Sequence, residues 1–281
     1  MGPARLLAAV VAVVACLVVA SPGLADPPGA NDWSCRPTSA HPRPVVLVHG
    51  TFANATVNWA ALSPRLKQAG YCVYALDYGN SGFGSVGVYA TGRVSSSAAE
   101  LAAFIDRVLA ATGAAQVDIV GHSQGGMLPR EYIRQFGAAK VHTLVGLSPS
   151  NHGTTASGFL TLVGLIPAGR QVLGAGCPAC DDQTVGSPFL ATLNAAGDTV
   201  PGVSYTVIQT RYDEVVTPYT SAFLAGATNI TLQAGCALDT SEHLSIAFDP
   251  RALQYVLNAL DPATAKRPPC GPFGAKPASQ G

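Results

Sequence analysis

The sequence predicts an α/β protein: a mostly parallel central sheet with helices on both faces and a short cap inserted late in the chain. Three observations predict it. Short apolar runs alternate with segments of helical periodicity along most of the chain. The clearest run, residues 44–48, has no polar alternate, as expected of a strand buried on both faces. Of the 281 residues, 48% are hydrophobic and only 11% charged, which suits one large core. The 16 basic and 16 acidic residues cancel, and no basic cluster is longer than Lys266-Arg267. A nucleic-acid partner would need a concentrated positive face, so none is expected. A disordered chain would need low hydrophobicity with high net charge, and a monomeric globular protein is expected instead.

Residues 1–25 stand apart. Arg5 gives a positive start, residues 6–20 are an unbroken apolar run, and Ser21-Pro22-Gly23 interrupts it. Gly23 and Ala25 then place small residues ahead of Asp26. This is the pattern of a secretory signal peptide. The 15-residue run is short of the ~20 that a membrane span needs, so no stable membrane insertion is expected. The domain expected is 26–281, secreted and extracellular.

The elements follow in order. Residues 44–48 make the first strand. Trp59, Leu62 and Leu66 have helical spacing, and 71–76 form the second strand. Ser97-x-x-Glu100 reads as a capping box ahead of a stripe formed by Leu101, Phe104, Ile105, Val108 and Leu109. Residues 117–120 form a third strand with a helix after it. Residues 141–147, 203–210 and 230–233 read as further strands. Asp249 and Pro250 open a last helix as N-cap and first residue. Two segments break the alternation: the cap insertion 148–200, and the Pro-rich tail 262–281.

Beyond Cys16 the chain holds Cys35, Cys72, Cys177, Cys180, Cys236 and Cys270. An even number in an exported chain suggests three disulfides. Cys177-Pro-Ala-Cys180 also has the spacing of a redox pair or half a zinc site, but no further ligands lie near it in sequence. Placement favours Cys177 with Cys180, Cys236 with Cys270, and Cys35 with Cys72.

The chemistry centres on Gly121-His122-Ser123-Gln124-Gly125, a G-x-S-x-G pentapeptide between a strand and a helix. The pentapeptide alone is weak evidence. In that context it describes a strained turn that lifts Ser123 Oγ above the sheet edge. A serine hydroxyl needs a base to become a useful nucleophile. Of six histidines, His243 lies in the loop after the last strand, at the sheet edge that also carries Ser123. His122 is expected to point away. The imidazole needs an acid behind it, and Asp213 follows a strand end, with Asp239 as runner-up and Glu214 expected to point elsewhere. The chain order Ser123, Asp213, His243 is that of the α/β-hydrolases. Two backbone N–H groups are needed for the oxyanion, and Thr51 and Gln124 are the candidates. Phe52 is the alternative to Thr51, or a wall of the acyl pocket.

The strand followed by His-Gly-Thr-Phe-Ala-Asn (49–54), the Gly-His-Ser-Gln-Gly-Gly turn, and Ser-Pro-Ser-Asn-His-Gly-Thr (148–154) resemble secreted actinobacterial lipases of the class 2 type. So do Arg-Tyr-Asp-Glu (211–214) and Glu-His-Leu-Ser (242–245). The likeness covers about 35–261. It implies an α/β-hydrolase fold and hydrolysis of acylglycerols and simpler esters, with catalytic Ser123, Asp213 and His243 and an oxyanion hole at Thr51 and Gln124. No cofactor or metal is expected: some related lipases carry a structural calcium, but the sequence has no ligand cluster of that kind. Acyl transfer or polyester cleavage by the same triad is the alternative. A catalytically dead binding module is a reading of another class, against which the complete residue set argues. In the insertion, apolar residues including Leu162 and Ile166 are expected to wall the acyl pocket beside Phe52. Pro129, in the second turn of the nucleophile helix, is expected to cost that helix a hydrogen bond.

Overall fold

The computed structural model describes residues 25–157 and 174–273. Leu162 and Ile166, most of the proposed leader and the end of the tail lie outside the described residues. The strands are β1 (Val45–Val48), β2 (Val73–Leu76), β3 (Val117–His122), β4 (Val141–Leu147), β5 (Ser204–Gln209) and β6 (Thr228–Thr231). They form one sheet in the order β2-β1-β3-β4-β5-β6, and each neighbouring pair is parallel.

Parallel strands need crossovers, and the crossovers place helices on both faces. The alternation of side chains along β1 shows the result. Val46 and Val48 enter a core with Leu101, Ile105, Met127 and Leu128. Val45 and Leu47 enter a second core with Trp59, Leu62, Leu253 and Val256. All four β1 residues are fully buried, which explains why the run is apolar throughout.

The helices named below are α1 (Ala55–Asn58), α2 (Leu62–Gln68), α3 (Val94–Thr112), α4 (Gln124–Phe136), α5 (Pro178–Asp182), α6 (Pro188–Asn194), α7 (Leu232–Gly235) and α8 (Pro250–Leu260). The helical spacing of Trp59, Leu62 and Leu66 spans a break rather than one helix: Trp59 is the C-cap of α1, and α2 begins three residues later. The strand expected over 230–233 ends at Thr231. There the Gln233 amide turns in to bond Thr210 Oγ1 at 2.9 Å and the Arg211 N–H at 2.9 Å. The Asp249 carboxylate accepts from the Ala252 N–H at 2.8 Å and caps α8 ahead of Pro250.

The capping box at Ser97 is absent. Helix α3 starts at Val94, Ser97 Oγ donates to the Arg93 carbonyl at 3.1 Å, and Glu100 accepts from the Gly79 N–H at 3.2 Å. The cap comes instead from the insertion. Asp182 accepts from the Val94 N–H at 2.9 Å and from Arg93 at 2.6 Å. This carboxylate meets both the exposed N–H groups and the positive end of the helix dipole.

Disulfides join Cys35 to Cys72, Cys177 to Cys180, and Cys236 to Cys270. The second ties the N-cap of α5 to its third residue. The buried Arg130 of α4 holds the far end of the insertion: it donates to Asn194 Oδ1 at 2.8 Å, the Asp198 carbonyl at 3.1 Å and the Asn151 carbonyl at 3.3 Å. Asp182→Ala is expected to destabilise the protein by about 1–2 kcal/mol, the size of a lost helix cap. Urea unfolding with the disulfides intact measures this, and Glu100→Ala, remote from the helix end, should cost less.

Candidate active site

Ser123 follows the carboxyl end of β3, the edge where open α/β sheets place their sites. Strand β3 runs into Ser123, and α4 begins at the next residue. Ser123 has φ 55° and ψ −125°, a backbone state that non-glycine residues rarely take. Its own backbone bonds fix it there. Its N–H donates to the Leu147 carbonyl at 2.9 Å, and its carbonyl accepts from the Gly126 N–H at 2.9 Å. The turn is possible only because helix and strands nearly touch. A Cβ on Gly121 would lie 1.9 Å from the Gly125 carbonyl oxygen, and one on Gly125 would lie 2.1 Å from that of Val48. Helix α4 continues through Pro129. The bond that Pro129 cannot make would have gone to the Gly125 carbonyl, the group pressed against Gly121.

Ser123 Oγ lies 3.0 Å from His243 Nε2, and His243 Nδ1 lies 2.9 Å from Asp213 Oδ2. The carboxylate only accepts, so Nδ1–H donates to it and Nε2 accepts from the Ser123 hydroxyl. Asp213 Oδ1 accepts from the N–H groups of Val215 and Val216 at 3.0 and 2.7 Å, and Gln209 Nε2 donates to Oδ2 at 3.2 Å. All three side chains are buried. Burial opposes charge on His243, but the adjacent Asp213 carboxylate, with Glu214 and Glu242 beyond it, outweighs this and raises the imidazole pKa above its ordinary value. Burial likewise opposes charge on Asp213, but His243 and the Val216 N–H more than offset it, and its pKa is lowered.

Asp239, the other candidate acid, is turned toward its own loop, where Oδ1 accepts from the Ser241 N–H and hydroxyl at 3.0 and 2.5 Å. Glu214 makes no hydrogen bond to the His243 ring; burial, reinforced by the neighbouring Glu242 charge, raises its pKa to about 7.

His122 has a place that the sequence does not reveal. Its Nε2 lies 2.9 Å from the His243 carbonyl oxygen, and its Nδ1 lies 2.9 Å from Asn58 Oδ1, which also accepts from the Gly50 N–H. Complete burial, then the neighbouring His243, lowers its pKa to about 3. It is a neutral strut under the loop that presents His243. The orientation of a side chain beside a turn depends on the backbone angles of that turn, and no residue pattern encodes them here.

After β1, the Phe52 N–H donates to the Tyr89 carbonyl at 3.0 Å and is occupied. Among the described residues no backbone acceptor faces the Thr51 N–H. Gln124 is the first residue of α4, where a helix N–H has no partner of its own. The two residues are linked directly, since Thr51 Oγ1 donates to Gln124 Oε1 at 2.8 Å. Phe52 is partly buried against the core on the α3 and α4 side. Among the described residues no group of three or more His, Cys, Asp or Glu side chains is arranged to hold a metal ion.

A parallel sheet with a strained serine turn after one strand, an acid from the loop after a later strand and a histidine from a loop further on, is the α/β-hydrolase arrangement. Residues 42–256 match the family described as Lipase (class 2), and the chain belongs to that family. It is 32% identical over 122 residues to a triacylglycerol lipase of Pseudarthrobacter phenanthrenivorans, across 42% of this chain and 36% of that one. A triacylglycerol lipase of Burkholderia plantarii matches at 32% over 122 residues, 42% of this chain and 32% of the relative. The matched segment thus spans about a third of each of these relatives. Aspergillus fumigatus lipase B has a similar fold, with TM-score 0.65 and 21% identity, over 86% of this chain and 56% of that one. Bacillus licheniformis lipase BlEst2 superposes with TM-score 0.60 and 17% identity, over 80% and 94%.

The neutral state of His122 sets a pH dependence. Unfolded, an imidazole takes up a proton near pH 6.5, whereas folded His122 does so only near pH 3. Between these values the unfolded chain binds more protons, so stability is full above about pH 6.5 and falls as pH drops toward 3. His122→Gln should be less stable at pH 7 but lose less stability between pH 6.5 and 5. Urea unfolding at several pH values reads the two slopes.

Proposed function

We propose that the protein is a secreted serine ester hydrolase, a triacylglycerol lipase that also cleaves simpler carboxylic esters. The observation that carries this reading is the hydrogen-bonded chain from Asp213 through His243 to Ser123 Oγ, ending at a strained turn. Ser123 Oγ attacks the ester carbonyl while His243 Nε2 takes its proton. The N–H groups of Thr51 and Gln124 receive the oxyanion. His243 returns the proton to the departing alcohol, leaving an acyl-enzyme. Water, deprotonated by His243, then releases the acid and frees Ser123. Asp213 holds the imidazole in the required tautomer and stabilises its protonated form. No step calls for a metal or cofactor.

Phe52, half-buried after β1, is assigned to the wall of the acyl pocket. The leader-like residues 1–25 and the three disulfides support export to an oxidising compartment.

Ser123→Ala and His243→Ala should each lower kcat by about 10⁴–10⁶-fold on p-nitrophenyl butyrate and emulsified triglyceride, and Asp213→Ala somewhat less. Asp239→Ala should retain most activity. A Ser123→Ala variant with near-native turnover would exclude the mechanism. The raised pKa of His243 gives a second expectation. The base works only when neutral, so kcat/KM should fall as pH drops through a midpoint above that of an ordinary imidazole, about 6.5. A midpoint below that value would contradict the role given to the Asp213 pair.

A further inference from the structure

We propose that Gln183, in the insertion, is a positioning residue for the oxyanion hole; this rests on the serine-hydrolase reading above. The argument begins with a chain of side-chain hydrogen bonds. Ser150 Oγ donates to Gln183 Oε1 at 2.8 Å, Gln183 Nε2 donates to Thr51 Oγ1 at 3.0 Å, and Thr51 Oγ1 donates to Gln124 Oε1 at 2.8 Å. Thr51 and Gln124 are the two residues whose backbone N–H groups face the oxyanion in the proposed mechanism. The chain joins them to each other and joins both to the insertion.

Its direction is fixed at one point. Gln183 Nε2 also donates to the Ala179 carbonyl at 3.0 Å. A carbonyl can only accept, so the nitrogen of the Gln183 amide must face it, and Oε1 must face Ser150. The Thr51 hydroxyl, already accepting from Gln183, turns its proton to Gln124 Oε1. With its hydroxyl committed, Thr51 has one rotamer, and the backbone of the turn after β1 is held beside the first residue of α4. Gln124 Nε2 is buried with no partner among the described residues, so the link through Oε1 is the bond that orients this amide.

Gln183 is itself rigidly placed. It is buried, and its N–H closes the end of α5 on Ala179. The Cys177–Cys180 bridge closes the first turn of that helix, and Asp182, the preceding residue, is the cap of α3. An oxyanion donor must be aligned before charge develops, and a donor on a mobile loop loses that alignment. The insertion thus supports the reacting centre through Gln183.

The decisive experiment uses the full-length enzyme and two substitutions. Gln183→Met keeps the length of the side chain and removes its hydrogen bonds. Thr51→Val keeps the backbone N–H and removes the hydroxyl. Gln183→Met should lower kcat on p-nitrophenyl butyrate about 10-fold with KM within about twofold, as a small misplacement of a catalytic group does. Affinity for n-butylboronic acid, which forms a tetrahedral anion on the serine, should fall by a similar factor. In the Thr51→Val background, Gln183→Met should add no further loss. A residue that merely stabilised the fold would leave boronate affinity unchanged and would multiply with Thr51→Val; either result overturns the proposal, as does unchanged kcat. Should Gln183→Met not fold, Ser150→Ala releases the chain from its far end. It should lower kcat and boronate affinity together, and wild-type values there would overturn the proposal. Failure of the underlying reading looks different, because the unmodified enzyme would then bind no boronate and Ser123 would resist a fluorophosphonate.

Discussion

Everything at the site depends on how closely the helix after β3 approaches the strands. Gly121 and Gly125 let a carbonyl rest where a side chain would otherwise be, and this contact holds Ser123 in its unfavourable backbone state. The strain is small beside the core that pays for it, since β1 and β3 are buried along their whole length. A turn of this kind cannot relax without separating α4 from the sheet. The hydroxyl is therefore as immobile as the core beneath it.

On that frame two imidazoles lie with ring centres 5.1 Å apart and opposite electrostatic fates. His243 has a buried carboxylate at its back and favours a proton. His122 meets only uncharged oxygens, Asn58 Oδ1 and the His243 carbonyl, and stays neutral. The difference comes from neighbours rather than burial, which is complete for both and disfavours charge on both. A second positive charge beside His243 would make the first harder to form, so the neutrality of His122 helps His243 to charge. The two are also joined mechanically, because His122 bonds the carbonyl of the residue whose ring it faces.

The strands were legible because burial on both faces removes polar alternation, as in β1 and β3. Helix α8 was legible at its start because Asp249 caps it from the adjacent position in sequence. Helix α3 was not, because its cap is Asp182, supplied by a distant part of the chain, while Ser97 and Glu100 imitate a local signal and bond elsewhere. At the site, sequence could nominate Ser123 and Asp213, which follow strands, and His243, which lies in the loop before the last helix. Which carboxylate meets the imidazole, Asp213 or Asp239, is decided by loop geometry that has no pattern in the residues. Gln183 gave no signal at all. A glutamine is ordinary in any helix end, and its importance comes from three partners brought together by the fold.

The three bridges have a property separate from what each one holds. From Cys35 onward, every cysteine is joined to the next one along the chain: first to second, third to fourth, fifth to sixth. No bridge encloses or crosses another. A polypeptide threaded into an oxidising compartment from its amino end can close each loop before the next pair arrives, and no earlier bond has to be broken to make a later one. Correct pairing is then reached by order of arrival, with little need for an isomerase to shuffle wrong partners.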